Sequence, residues 1–143
     1  MISIAIDGPS GAGKSTIAKA VSKKLGFIYV DTGALYRSIG LYVLNKGKDT
    51  ANREEVAALL PEISVKIRYV DGAQHVYLNG KDVSDDIRRP PVSMAASNVS
   101  AHPEVREFLL NLQRQFAEEN NVVMDGRDIG TVVLPKADIK IFL

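Results

Sequence analysis

The stretch GPSGAGKST, Gly8 to Thr16, stands directly behind the apolar run ISIAID, Ile2 to Asp7. Three glycines in nine residues make poor local structure unless the backbone has to curl tightly around something. Gly8, Gly13, Lys14 and Ser15 satisfy the spacing G-x-x-x-x-G-K-[ST], with a strand-like run before it and a helical pattern after it. In such a loop the glycines let backbone N–H groups converge on phosphate oxygens. A helix starting near Lys14 adds unsatisfied donors and the positive end of its dipole. Lys14 is placed to neutralise β/γ-phosphates, and the Ser15 hydroxyl to ligate Mg²⁺. The competing reading is a glycine-rich turn with an exposed lysine. The complete spacing and both flanking elements argue against it, so the loop is expected to bind a nucleoside triphosphate.

Working outward, ISIAID is the continuous apolar run of a strand buried on both faces of a parallel sheet. From Lys14 to Leu25 the pattern is helical, with Ile17, Val21 and Leu25 on one face and Gly26 as the stop. FIYV, Phe27 to Val30, is a second strand. GALYRSIGLYVLNKG reads as a helix with Leu35, Ile39 and Tyr42 on one side. Asn52 with Glu55 resembles a capping box that opens a short helix ending near Pro61. The period then drops to two, and the DG and NG pairs predict an antiparallel three-stranded meander over about residues 63–84. Pro103 opens a helix carrying Val105, Phe108, Leu109, Leu112 and Phe116. NVVMDGRD supplies a third parallel strand and IKIFL a fourth, read as buried. The expected class is α/β, a central parallel sheet with a mixed insert between its second and third strands.

Composition narrows the function. The 143 residues suffice for one domain with a real core and a small appendage. A net charge of +1 gives no support for binding a nucleic-acid polymer. There is no cysteine, and His75 and His102 lie far apart outside any ligand spacing, which argues against zinc. No apolar run approaches a membrane span, and no basic-then-apolar leader opens the chain, so a cytoplasmic protein is expected. A monomer acting on small molecules is the accompanying expectation. The end is unusual: IKIFL stops on Leu143 with no turn or cap, from which a further carboxy-terminal portion is expected.

A phosphate loop alone does not separate a GTPase from a kinase. NKGKD, Asn45 to Asp49, evokes the guanine motif N-K-x-D, but its aspartate is one residue too far along and it follows a helix. It reads instead as a helix terminus with Gly47 past the end. A kinase needs a second anion site for the acceptor, work suited to the planar fork of arginine. Arg37 follows the second strand and Arg127 the third, both at carboxyl ends of parallel strands, where ligands bind. Lys14, Arg37 and Arg127 are thus the candidate catalytic groups. Asp125 ends the run VVM, and two roles are open to it: facing Mg²⁺ through water, or capping the turn that follows.

Together, DGPSGAGKST, DTGALYR, AASNVSAHPEVRE and DGRDIGTVVLP…KIFL resemble the bacterial cytidylate kinases, a family of nucleoside monophosphate kinases, over essentially the whole chain. GALYR with DGRDIGT is the more specific part. The resemblance implies transfer of a phosphoryl group from ATP to CMP or dCMP with Mg²⁺. It implies that Gly8, Pro9, Ser10, Gly11, Ala12, Gly13, Lys14, Ser15 and Thr16 hold ATP. Thr32, Tyr36 and Arg37 would line the CMP site, with Arg37 and Arg127 on its phosphate, and Ser97, Arg106 and Asp128 would read the cytosine. From the residues alone Arg106 lies off the apolar stripe of its helix, as fits a ligand contact or a solvated side chain, and Ser97 fits a small helix residue. The implied organisation is a three-layer P-loop core, residues 1–31 and 101–143, around a monophosphate-binding segment, 32–100. Family members continue past KIFL into an arginine-bearing lid, so this chain is expected to bind ATP and turn over slowly. The alternative is a regulatory nucleotide-binding module without turnover.

Overall fold

The computed structural model describes residues 1–143. Along the chain run β1 (Ser3–Asp7), α1 (Lys14–Leu25), β2 (Ile28–Tyr29), α2 (Thr32–Asn45), α3 (Arg53–Leu59), β3 (Val65–Val70), β4 (Ala73–Leu78), β5 (Lys81–Asp82), α4 (Pro90–Ser100), α5 (Pro103–Glu119), β6 (Val122–Gly126) and β7 (Ile139–Phe142). They form an α/β fold of two units, Met1–Asp31 with Leu110–Leu143, and Thr32–Leu109. The second division falls inside α5, later than the 100/101 border read from the sequence. The first turn of α5 is tied to the second unit: Arg53 Nε meets Glu104 at 2.8 Å, and Arg106 Nη1 donates to the carbonyls of Ser100 and Ala101.

In the first unit four parallel strands take the order β2-β6-β1-β7. The crossover from β1 through α1 to β2 skips one position, and β6 fills it. The register pairs Ser3 with Val122 and Asp7 with Gly126, so β1 and β6 end side by side and the loops that follow them start together. Ile4, Ile6, Ala18, Tyr29 and Val123 form the core, with Val21 and Phe27 packed against it. Ile6 is fully buried, a contribution of about 1.5–3 kcal/mol from its side chain.

Two expectations are corrected here. The buried face of α1 is Ala18 and Ser22, while Ile17 and Leu25 are 40% and 51% exposed. Val21, the middle residue of the predicted stripe, is the part of that reading that holds, since it packs against the core beside Ala18. The strand IKIFL pairs with β1 as read, but it is the last in the sheet order and is exposed along its length. FIYV narrows to two paired residues, although Val30 N still donates to Val123 O at 3.0 Å.

In the second unit α2 and α4 pack together. A Cβ on Gly40 of α2 would sit 3.0 Å from the backbone and Cβ of Ala95 in α4, so only glycine allows this approach. NKGKD closes α2 as read: Gly47 N donates to Leu44 O and Lys48 N to Val43 O, the paired bonds of a Schellman terminus. The capping box is half formed. Asn52 Oδ1 accepts from Glu55 N at 3.1 Å, whereas the Glu55 carboxylate reaches the amide of Asp49. The meander β3-β4-β5 is antiparallel, and its turns hold Asp71, Gly72, Asn79 and Gly80 all at positive φ, the type I′ geometry that DG and NG favour. Helix α4 was not separately delimited by the sequence reading.

Candidate functional site

The phosphate loop starts where β1 ends. Gly8 N donates to Gly126 O at 3.2 Å and Ala12 N to Pro9 O at 3.3 Å, which curls the loop back on itself. Gly13 takes φ 82°, the left-handed region open to glycine, and so turns the chain into α1. No side chain caps that helix and its first turn holds no acid, leaving its N–H donors pointing out of the loop. Lys14 Nζ donates to Pro9 O at 3.0 Å, across the loop, and Ser15 and Thr16 are exposed. The whole arrangement is an anion cradle with a cation at its rim.

The loop after β6 shares this end of the sheet. Arg127 Nη2 donates to Ser10 Oγ at 2.7 Å, which places its guanidinium against the phosphate loop. The half-buried Asp125 carboxylate accepts from the Tyr29 hydroxyl at 2.8 Å. Burial first, and then that bond and the charge of Asp125, push the Tyr29 phenol well above its ordinary range. Two amides of the turn that follows are held by a different carboxylate. Asp7 Oδ1 accepts from Ile129 N and Asp7 Oδ2 from Gly130 N, each at 2.8 Å. Residues Ile129–Val133 form a turn of π-helix whose start is Asp128; the Asp128 carbonyl accepts from Val132 N at 2.8 Å while its side chain is exposed.

The remaining candidates belong to the second unit. Thr32 is the first residue of α2, and Tyr36 and Arg37 follow one turn on, half-buried. Burial raises the Tyr36 phenol above its ordinary value, and the nearby Arg106 cation works against that rise. Arg37 makes no ion pair within its unit, so its charge is uncommitted there. Ser97 is exposed on α4. Arg106, left open between ligand contact and solvation, instead donates to the carbonyls of Ala101 at 3.0 Å and Ser100 at 3.2 Å, capping α4.

Asp7 and Tyr29 were missed by the sequence reading. Asp7 had a signal, since it is the one acid in an apolar run and directly precedes the loop. Tyr29 had none, because an aromatic residue in a strand reads as core.

A family model described as cytidylate kinase matches residues 4–143. The chain belongs to the cytidylate kinase family. It is 54% identical over 142 residues to the cytidylate kinase of Caldicellulosiruptor saccharolyticus, covering 99% of this chain and 63% of that protein. With the cytidylate kinase of Pelotomaculum thermopropionicum it shares 53% identity over 141 residues, 98% of this chain and 62% of the relative. With that of Oceanobacillus iheyensis it shares 48% over 142 residues, 99% of this chain and 62% of the relative. The chain thus spans less than two thirds of the length of these cytidylate kinases. No helix in it is long and apolar enough to cross a membrane.

Proposed function

We propose that this protein transfers the γ-phosphoryl group of ATP to CMP or dCMP, giving ADP and (d)CDP. The observation that carries this reading is the pairing of the anion cradle at Gly8–Thr16 with the arginine-bearing loop after β6, joined by the 2.7 Å bond from Arg127 to Ser10. A triphosphate-binding loop needs no such neighbour for binding alone. A kinase does, because its acceptor is itself an anion that must be brought up to the γ-phosphate against charge repulsion.

In this reading the amides of the loop and of the start of α1 hold the triphosphate oxygens, and Lys14 offsets charge on the β- and γ-phosphates. Arg37 and Arg127 hold the acceptor phosphate, one of whose oxygens attacks the γ-phosphorus as the bond to the β-bridging oxygen breaks. Thr32 and Tyr36 line the acceptor site, and Ser97, Arg106 and Asp128 read the base, for which Arg106 must leave the α4 carbonyls. Mg²⁺ keeps several waters and needs only one or two protein oxygens. No cluster of three or more acids or histidines here could hold an ion by itself, whereas the Ser15 hydroxyl and the Asp125 carboxylate fit an ion that arrives with the nucleotide. Ser15 would be its direct ligand and Asp125 would act through water; bound there, Mg²⁺ would offset charge on the β- and γ-phosphate oxygens.

The test is a coupled ADP-release assay with ATP, Mg²⁺ and each nucleoside monophosphate in turn. It is run on this chain and on a version extended to the relatives' length. Release stimulated by CMP and dCMP supports the reading. ATP binding by both versions with no stimulated release would make the protein a nucleotide-binding module.

A further inference from the structure

The carboxylate of Asp7 is buried and takes no part in the phosphoryl transfer described above. It is 9% exposed at the end of β1, and both of its oxygens accept backbone amides, Ile129 N and Gly130 N, at 2.8 Å each. An ionised carboxylate is acceptor-only, so its lone pairs suit these two donors, and such charge-assisted bonds are stronger than neutral ones. Successive N–H groups that converge on one point make the kind of concavity that binds anions. Here the protein's own side chain fills it. A Cβ on Gly130 would lie 3.3 Å from Asp7 Oδ2, so the absence of a side chain there is part of the fit.

The geometry points to a role for this clamp. Arg127 and Asp128 immediately precede the two pinned amides. On the far side the Asp128 carbonyl accepts from Val132 N at 2.8 Å and Val133 N at 3.3 Å. The turn is therefore fixed to the strand end through Asp7 and closed on itself through Asp128. Gly8, the next residue after Asp7, opens the phosphate loop and is itself bonded to Gly126 O at 3.2 Å. One strand end thus sets both loops.

We propose that Asp7 is a positioning residue: it pre-sets the 127–130 loop so that Arg127 and Asp128 meet the nucleoside monophosphate in a fixed geometry. By this it sharpens the choice of cytosine over uracil without touching the nucleotide. The proposal rests on the reading of Asp128 as a base-reading group.

The test is Asp7→Asn, which is nearly isosteric but offers one acceptor oxygen and turns an NH₂ group toward the second amide. Amide hydrogen exchange should accelerate at Ile129 and Gly130 by about tenfold or more, with exchange elsewhere in β1 and β6 little changed. Calorimetric affinity for CMP should fall by roughly tenfold and the CMP-to-UMP affinity ratio should shrink, while ATP affinity changes by less than about threefold. Affinities for CMP, UMP and ATP that fall in parallel would make Asp7 a merely structural group and overturn the proposal. So would an unchanged ratio alongside faster exchange, and that result would leave the kinase reading intact. Should the variant not fold, Gly130→Ala crowds the same carboxylate and must move the ratio in the same direction. Slow exchange at Ile129 and Gly130 in the unaltered protein is required in any case. No preference for CMP over UMP in the unaltered protein would refute the kinase reading and this proposal together.

Discussion

The Tyr29 hydroxyl donates a 2.8 Å hydrogen bond to Asp125 Oδ1, joining the short strand β2 to the acid expected to face Mg²⁺. Burial and the neighbouring carboxylate raise the phenol above its ordinary value of 10.0. A group whose pKa is raised on folding stabilises the protein fully below its unfolded value and loses that contribution as pH rises toward the folded one. Urea midpoints should therefore hold through neutral pH and fall above pH 10. In Tyr29→Phe that alkaline fall should be shallower, and the loss at pH 7 should be about 1–3 kcal/mol. An identical alkaline profile in the variant would refute the assignment.

Lys14→Ala removes the cation at the rim of the cradle. Its recorded contact is with the carbonyl of Pro9 in its own loop, so the melting temperature should be nearly unchanged. ATP affinity by calorimetry should drop by roughly 10- to 100-fold, the equivalent of one charge-assisted bond. Unchanged affinity would remove Lys14 from the site.

Arg37→Ala should spare ATP and weaken CMP by roughly 10- to 100-fold. Separate titrations with the two nucleotides read this directly. Loss of ATP with CMP retained would mean that the two sites have been exchanged.

Cytosine presents an amino donor and a bare ring nitrogen where uracil presents a carbonyl and an N–H. In the proposed site the Asp128 carboxylate can only accept and Arg106 can only donate, so uracil would meet both with the wrong sign. Asp128→Asn, whose amide both donates and accepts, should narrow the CMP-to-UMP ratio of kcat/KM in the extended version more than it lowers ATP affinity. A ratio that stays put would show that the base is read elsewhere.

Gly40→Ala tests the helix pair that carries Arg37 and Ser97. The new methyl would sit 3.0 Å from the backbone of Ala95, so α2 and α4 must move apart, at a cost of about 1–3 kcal/mol. Thermal unfolding should show a clearly lower midpoint. An equal or higher midpoint would mean that the two helices have room to spare.

Local patterns carried much of this fold. The glycine spacing before Lys14, the DG and NG turns and the Gly47 terminus each depend on neighbours a few residues apart, and the structure bears them out. What could not be read depends on partners distant in the chain. Ile17, Val21 and Leu25 mark an apolar stripe, yet only Val21 of the three packs against the core, beside Ala18, because the face that meets the sheet is set by tertiary contacts that the stripe does not encode. Asp7 and the amides of Ile129 and Gly130 meet only through strand order, and nothing local announces the pair. Arg106 is the exception: its partners, the carbonyls of Ser100 and Ala101, lie only six and five residues away, but a side chain off the apolar stripe gives no sign that it will fold back onto the end of the preceding helix.

The order β2-β6-β1-β7 also carries a consequence for synthesis. The phosphate loop is among the first parts of the chain to be made, but the strand beside β1 begins only at Val122. A nascent chain that stops short of that residue has β1 and β2 with the place between them empty, and Gly8 lacks the carbonyl of Gly126 that fixes its amide. The segment Thr32–Leu109, by contrast, is one continuous stretch of chain that forms a compact unit. ATP should therefore give a ribosome-bound chain no protection from proteolysis until β6 has left the exit tunnel, however early its binding motif emerges.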